Sequence, residues 1–100
     1  MKTAIKNNYQ KRAVILKALA HPARLFMVDE LSRRELCVGD LKDLVELDTS
    51  TVSKHLSVLK NAGIVEDNKR GLQVFYKIKH ACVTRVFSCL AAMTKAQENS

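Results

Sequence analysis

The segment Asp48–Val65, DTSTVSKHLSVLKNAGIV, constrains the chain more than any other stretch. It opens on a carboxylate able to accept hydrogen bonds from the free amides of a helix's first turn. It closes on Ala62-Gly63, where glycine supplies the left-handed backbone that ends a helix. The spacing between them predicts a helix over about 49–61. At about 100° per residue, Val52, Leu56 and Leu59 fall on one side, and Ser50, Ser53, Lys54 and Ser57 on the other. One face is built for burial. A merely solvated opposite face would ordinarily carry long glutamates and lysines. Small hydroxyls instead let a helix approach a second surface closely and hydrogen-bond to it, and a DNA major groove is such a surface.

At 100 residues the chain has room for one domain, residues 1–100, and nearly half its residues are apolar with few aromatics, a balance that suits a leucine-rich helical core. Tyr9, Ala13, Leu16 and Ala20 repeat at helical spacing, and the single proline, Pro22, marks the first turn of a second helix running to about Ser32. That helix carries Leu25, Phe26, Val28 and Leu31 widely round its circumference. A short third helix is expected around Asp40 to Leu47, with Leu41, Leu44 and Val45 inward.

After Gly63 the period changes. IVEDN and LQVFYKI read as two strands joined by Lys69-Arg70-Gly71, a hairpin over about 64–78 with a basic tip. From about 81 to 95 the spacing is helical again, with Cys82, Val86, Cys89, Leu90 and Met93 in one apolar stripe ahead of a polar, frayed tail, AQENS. The order is α-α-α-α-β-β-α, mainly α with a β-hairpin wing: a winged helix-turn-helix.

A helix N-terminus adds partial positive charge and free amides, both favourable to phosphate. The formal charge of +7 points the same way, toward a polyanionic partner. On this reading Lys69 and Arg70 at the wing reach the neighbouring backbone or minor groove. Two alternatives stay open: a hydroxyl-rich helix that faces water beside a hairpin that only completes the core, and a winged-helix module that binds protein. An enzyme is not signalled, because no nucleophile-base pairing, phosphate-binding glycine loop or metal-ligand tetrad can be assembled. No apolar run is long enough to span a bilayer and the N-terminus lacks a secretory signal, so a cytoplasmic protein without a membrane partner is expected.

ELCVGDL, LDTSTVSKHLSVLKNAGIV and the glycine-tipped GLQVFYKI strongly resemble the ArsR (SmtB/ArsR) family of winged helix-turn-helix repressors, and LAHPARL is similar to that family's second-helix entrance. The resemblance covers nearly the whole chain. It implies a homodimeric repressor, dimerising through its first and last helices, that binds double-stranded operator DNA and leaves it when an inducer binds. It places Thr49, Ser50, Ser53 and Lys54 at the DNA. No cofactor is required; the inducer it implies is arsenite or another thiophilic metal ion.

The three cysteines, Cys37, Cys82 and Cys89, are then the candidate sensors. Arsenic and cadmium sensors of the family commonly carry a Cys-x-Cys pair in ELCVCDL, whereas this chain has Cys37-Val38-Gly39, keeping one ligand and lacking its neighbour. Cys37 precedes a helix N-terminus, where thiolate is favoured. The family's zinc sensors use acidic and histidine residues on the last helix. Here His80 and Cys82 stand near its start, but Met93 and Ala96 replace the later histidines. Seven residues on one helix separate Cys82 from Cys89 by about 10.5 Å, too far for a direct disulfide, so they could meet only across an antiparallel dimer. Sensing of redox state or persulfide through these thiols is the alternative, and simple packing as small hydrophobes is another. Of the histidines, His21 is placed to cap the second helix and His55 lies at the edge of the recognition helix's inner face.

Overall fold

The computed structural model describes residues 1–98. Its elements are α1 (Thr3–Leu19), α2 (Pro22–Leu31), β1 (Leu36–Cys37), α3 (Val38–Val45), α4 (Thr49–Asn61), β2 (Val65–Arg70), β3 (Gln73–Ile78) and α5 (Val83–Glu98). The three strands form an antiparallel sheet in the order β1-β3-β2. This is the winged helix-turn-helix order with a short strand added. β1 was not expected from sequence, because two residues become a strand only through pairing with β3, Leu36 opposite Tyr76 and Cys37 opposite Phe75.

α2 starts where its proline allows. Pro22 occupies the first turn, and His21 Nδ1 accepts a hydrogen bond from the Ala23 amide at 3.0 Å. α4 ends in a Schellman motif: the Ile64 amide donates to the Leu59 carbonyl at 3.0 Å and the Gly63 amide to Lys60 at 2.9 Å, with Gly63 at φ 77°. Between α3 and α4 the chain turns at Glu46, a non-glycine residue in the left-handed region at φ 58°. Such a conformation costs about 1–2 kcal/mol in an L-residue.

The core lies between α2, α3, α4 and the sheet, where Met27, Val28, Leu41, Val52, Leu56 and Leu59 are fully buried. Only Ala18 and Leu19 of α1 are buried, and no residue of α5 is. Several sequence expectations are corrected here. Met27 is a core residue that the all-round apolar pattern of α2 did not single out, while Phe26 and Leu44 are largely exposed. The exposure of Tyr9, Leu16, Val86, Leu90 and Met93 is no correction, since the first and last helices are the expected dimer surface. α5 begins after Cys82, so Cys82 and Cys89 do not share one helix, and it continues to Glu98 rather than fraying at Ala96. Asn99 and Ser100 of the expected tail lie outside the described residues.

Candidate nucleic-acid interface

α3, the turn at Glu46–Asp48 and α4 build the helix-turn-helix. Asp48 caps α4: its Oδ1 accepts the Thr51 amide at 2.7 Å and the Ser50 hydroxyl at 3.2 Å. These bonds, Thr51's first, hold the Asp48 carboxyl below its ordinary pKa, so the cap is a carboxylate at neutral pH. Val52, Leu56 and Leu59 fix the rotation of the helix by burying one face completely. Thr49, Ser50, Ser53, Lys54 and Ser57 are consequently all exposed on the opposite side.

The wing stands beside this face. A cleft of about 330 Å³ separates the two and is lined by Cys37, Thr49, Ser53, Leu72 and Val74, among others. The structure thus brings Cys37, a buried thiol, next to two of the helix residues chosen from sequence. The hairpin turns one step later than the sequence suggested. β2 and β3 pair as far as Lys69 opposite Val74 and Arg70 opposite Gln73, so the tip is Gly71-Leu72, with Gly71 at φ 62°. Lys69 stays exposed. Arg70 is turned back onto the body: its Nη2 donates to Glu35 Oε1 at 2.7 Å, and its guanidinium lies 4.7 Å from the Phe75 ring centroid. The same hydrogen bond lowers the Glu35 pKa.

Cys82 and Cys89 are exposed and lie elsewhere. Cys82 lines a second, apolar cleft of about 200 Å³ with Ile15, Gly63, Ile64, His80 and Val86, at the junction of α1, α5 and the end of α4. Among the described residues no three His, Cys, Asp or Glu side chains are grouped to hold a metal ion.

Sequence reading missed a polar junction behind α4. Arg24 donates through Nε to the Ala18 carbonyl at 2.6 Å, and its Nη1 lies 3.1 Å from His55 Nδ1. The rings of His21 and His55 sit 4.5 Å apart. The last turn of α1, the start of α2 and the recognition helix are thereby tied together. Burial first, then His21 and Arg24, lowers the His55 pKa from 6.5.

The model of the bacterial regulatory protein arsR family matches residues 21–67, which span the α2–β2 region just described. The biofilm growth-associated repressor of Agrobacterium fabrum is 34% identical over 97 residues, covering 97% of this chain and 83% of that one. The chain belongs to the ArsR family. As an ArsR protein it is a transcriptional repressor with a winged-helix DNA-binding fold, in a family of regulators rather than enzymes. Its structure is similar to the homodimeric winged helix-turn-helix DNA-binding domain of Mb0332 from Mycobacterium bovis, at a TM-score of 0.87 and 26% identity over 97% of this chain and 90% of that one. It is also similar to HlyU of Vibrio cholerae, at a TM-score of 0.79 and 33% identity, covering 93% and 97%. Among the described residues of this ArsR protein, no helix is long and apolar enough to cross a membrane.

Proposed function

We propose that the protein acts as a cytoplasmic homodimer on an operator, reading it with Thr49, Ser50, Ser53, Lys54 and Ser57 in the major groove while Lys69 contacts backbone phosphate. Arg70 joins it only by leaving Glu35. The observation that carries this is the division of α4 into a fully buried face and a wholly exposed hydroxyl and lysine face. A two-fold dimer sets its recognition helices about one DNA turn apart, roughly 34 Å, so the operator is an imperfect inverted repeat. Dimerisation through α1 and α5 is supported by their exposed apolar residues. It is also supported by an accessible surface of 7130 Å² where a compact 11.2 kDa monomer has about 5,700 Å². That excess, about 1,400 Å², is of the size each partner buries in an obligate dimer.

The test is selection of duplexes from a randomised pool, followed by titration of the selected duplex with the wild type and with a Ser50→Ala/Ser53→Ala/Lys54→Ala variant. Loss of specific binding, with residual salt-sensitive binding, is expected. Unchanged affinity overturns the placement.

For the inducer we propose a thiophilic species, arsenite or a similar ion, taken up by the cysteines. Cys37 supports this through its place, since it lines the cleft that Thr49 and Ser53 also line. The redox and persulfide alternative is favoured by the exposed thiols of Cys82 and Cys89, which an oxidant or a sulfur species can reach and which could pair across an antiparallel dimer. A panel of arsenite, antimonite, cadmium, zinc and persulfide, tested for release of bound DNA with each cysteine changed to serine, separates the two. Normal responses from all three variants would sink both.

A further inference from the structure

Leu72 is the most exposed of the large apolar side chains, at 103% of its reference exposure. Apart from Met1 ahead of α1, the next most exposed apolar residues, Leu16, Tyr9, Val14 and Met93, lie on α1 and α5, where the proposed second copy accounts for them. Leu72 lies on neither helix. It occupies the tip of the wing, and the tip is tight: the strands pair right up to Arg70 and Gln73, leaving Gly71-Leu72 as a two-residue loop. Positive φ at Gly71 and not at Leu72 is the pattern of a type II′ hairpin turn. The neighbouring guanidinium is meanwhile withdrawn to Glu35 and Phe75. What the wing presents outermost is therefore a fully exposed leucine, with Lys69 exposed behind it.

From this we infer that Leu72 is an apolar wedge that enters the minor groove beside each major-groove half-site and reads the flanking base steps by their deformability. The inference rests on the DNA-binding reading above and adds a specificity residue to it. Leu72 lines the same cleft as Thr49 and Ser53, so seating α4 in the major groove brings the tip to the adjoining groove. Apolar side chains enter minor grooves by parting stacked bases, and pyrimidine–purine steps part most easily. An A·T-rich floor also lacks the guanine amino group that would meet the methyls. The cationic surroundings favour a nucleic acid as the occupant over another protein. Covering a leucine side chain corresponds to about ten-fold in affinity or more.

The experiment uses the full chain and a pool of duplexes with a randomised centre. Wild type, Leu72→Ala and Leu72→Met are each taken through selection, and the three proteins are then titrated on the wild-type consensus duplex. Wild type and Leu72→Met are expected to recover the same half-sites with flanking TA or CA/TG steps. Leu72→Ala should recover the half-sites without the flanks and bind the consensus about ten-fold more weakly. Identical flanks and affinity for Leu72→Ala overturn the wedge and leave the DNA-binding reading standing, and a changed sedimentation mass overturns it in favour of a self-contact. If the wild type enriches no duplex at all, the wedge and the reading beneath it both fall.

Discussion

Two parts of the molecule handle apolar side chains in opposite ways. In the central part, α2 to α4 with the sheet, Met27, Val28, Leu41, Val52, Leu56 and Leu59 are sealed to zero exposure. In the two flanking helices, Ile5, Tyr9, Val14, Leu16, Leu90 and Met93 stand 40–61% exposed. The Cα radius of gyration, 15.0 Å, exceeds the roughly 13 Å of a compact chain of this length, as projecting helices require. The centre closes a core to which α1 adds Ala18 and Leu19 and α5 adds the partly buried Val83 and Phe87, whereas the rest of α1 and α5 leaves apolar side chains exposed. In the dimer proposed above, the exposed faces of α1 and α5 join two such heads on one DNA site.

The sharpest way to break that contrast is in the centre. Leu56 anchors the recognition helix and is completely buried, so Leu56→Ala should destabilise the protein by about 2–5 kcal/mol, read as a lower urea midpoint. The equivalent change on the flanking stripe, Leu90→Ala, should cost far less in a monomeric sample, because there its methyls already meet water. Comparable losses would mean that the two regions form one cooperative core within a single chain.

The flanking helices should fail in another currency. A Leu16→Glu/Leu90→Glu variant is expected to sediment as a monomer with its circular dichroism intact, and to bind the selected duplex about a hundred-fold more weakly, the cost of losing bivalency. A variant that remains dimeric would move the interface away from α1 and α5.

What could be read from sequence follows the same division. α4 was legible because its signals are local: a capping Asp48, an apolar repeat, and Gly63 to end it. The features that escaped depend on residues far apart in the chain. β1 exists through Tyr76 and Phe75; the hairpin turn is set by the ladder's register; and Arg70 is held by Glu35, thirty-five positions earlier. The stripe on α5 was visible as an apolar periodicity, yet periodicity cannot say whether the face is covered by the same chain or by a second one. Cys37 was chosen for its surroundings in sequence, and its approach to Thr49 and Ser53 appears only once α3 and α4 are packed.

A smaller effect is expected at the cap. Asp48→Ala removes the acceptor of the Thr51 amide at the end of α4 that faces the proposed groove. It should lower Tm less than Leu56→Ala does and weaken specific binding by a few-fold at most. Asp48→Asn, which keeps an acceptor, should retain most of both. If Asp48→Ala loses no binding, the first turn of α4 contributes nothing that the cap organises.

The smallest predicted effect lies where the two regions meet. Arg24 of α2 bridges the Ala18 carbonyl in the last turn of α1 and His55 on α4, and the His21 ring lies tilted 4.5 Å from that of His55, so the groups facing His55 are a cation and a second imidazole. Burial first, then His21 and Arg24, disfavours a proton on His55 in the fold, and its pKa is below the 6.5 of the free side chain. Between those two values the unfolded chain binds the extra proton and the folded one does not, so stability rises with pH. The contribution is fully present above about pH 6.5 and is lost as pH falls through the folded value. Urea midpoints measured at about pH 7.5 and about pH 5.5 should show a modest drop in the wild type, and His55→Gln, which cannot titrate, should flatten it. Because this junction is the polar tie between α1 and the recognition helix, the same acid shift should weaken specific DNA binding in the wild type more than in His55→Gln. Equal pH slopes in the two proteins would show that the reading head and the flanking helix are not coupled through His55.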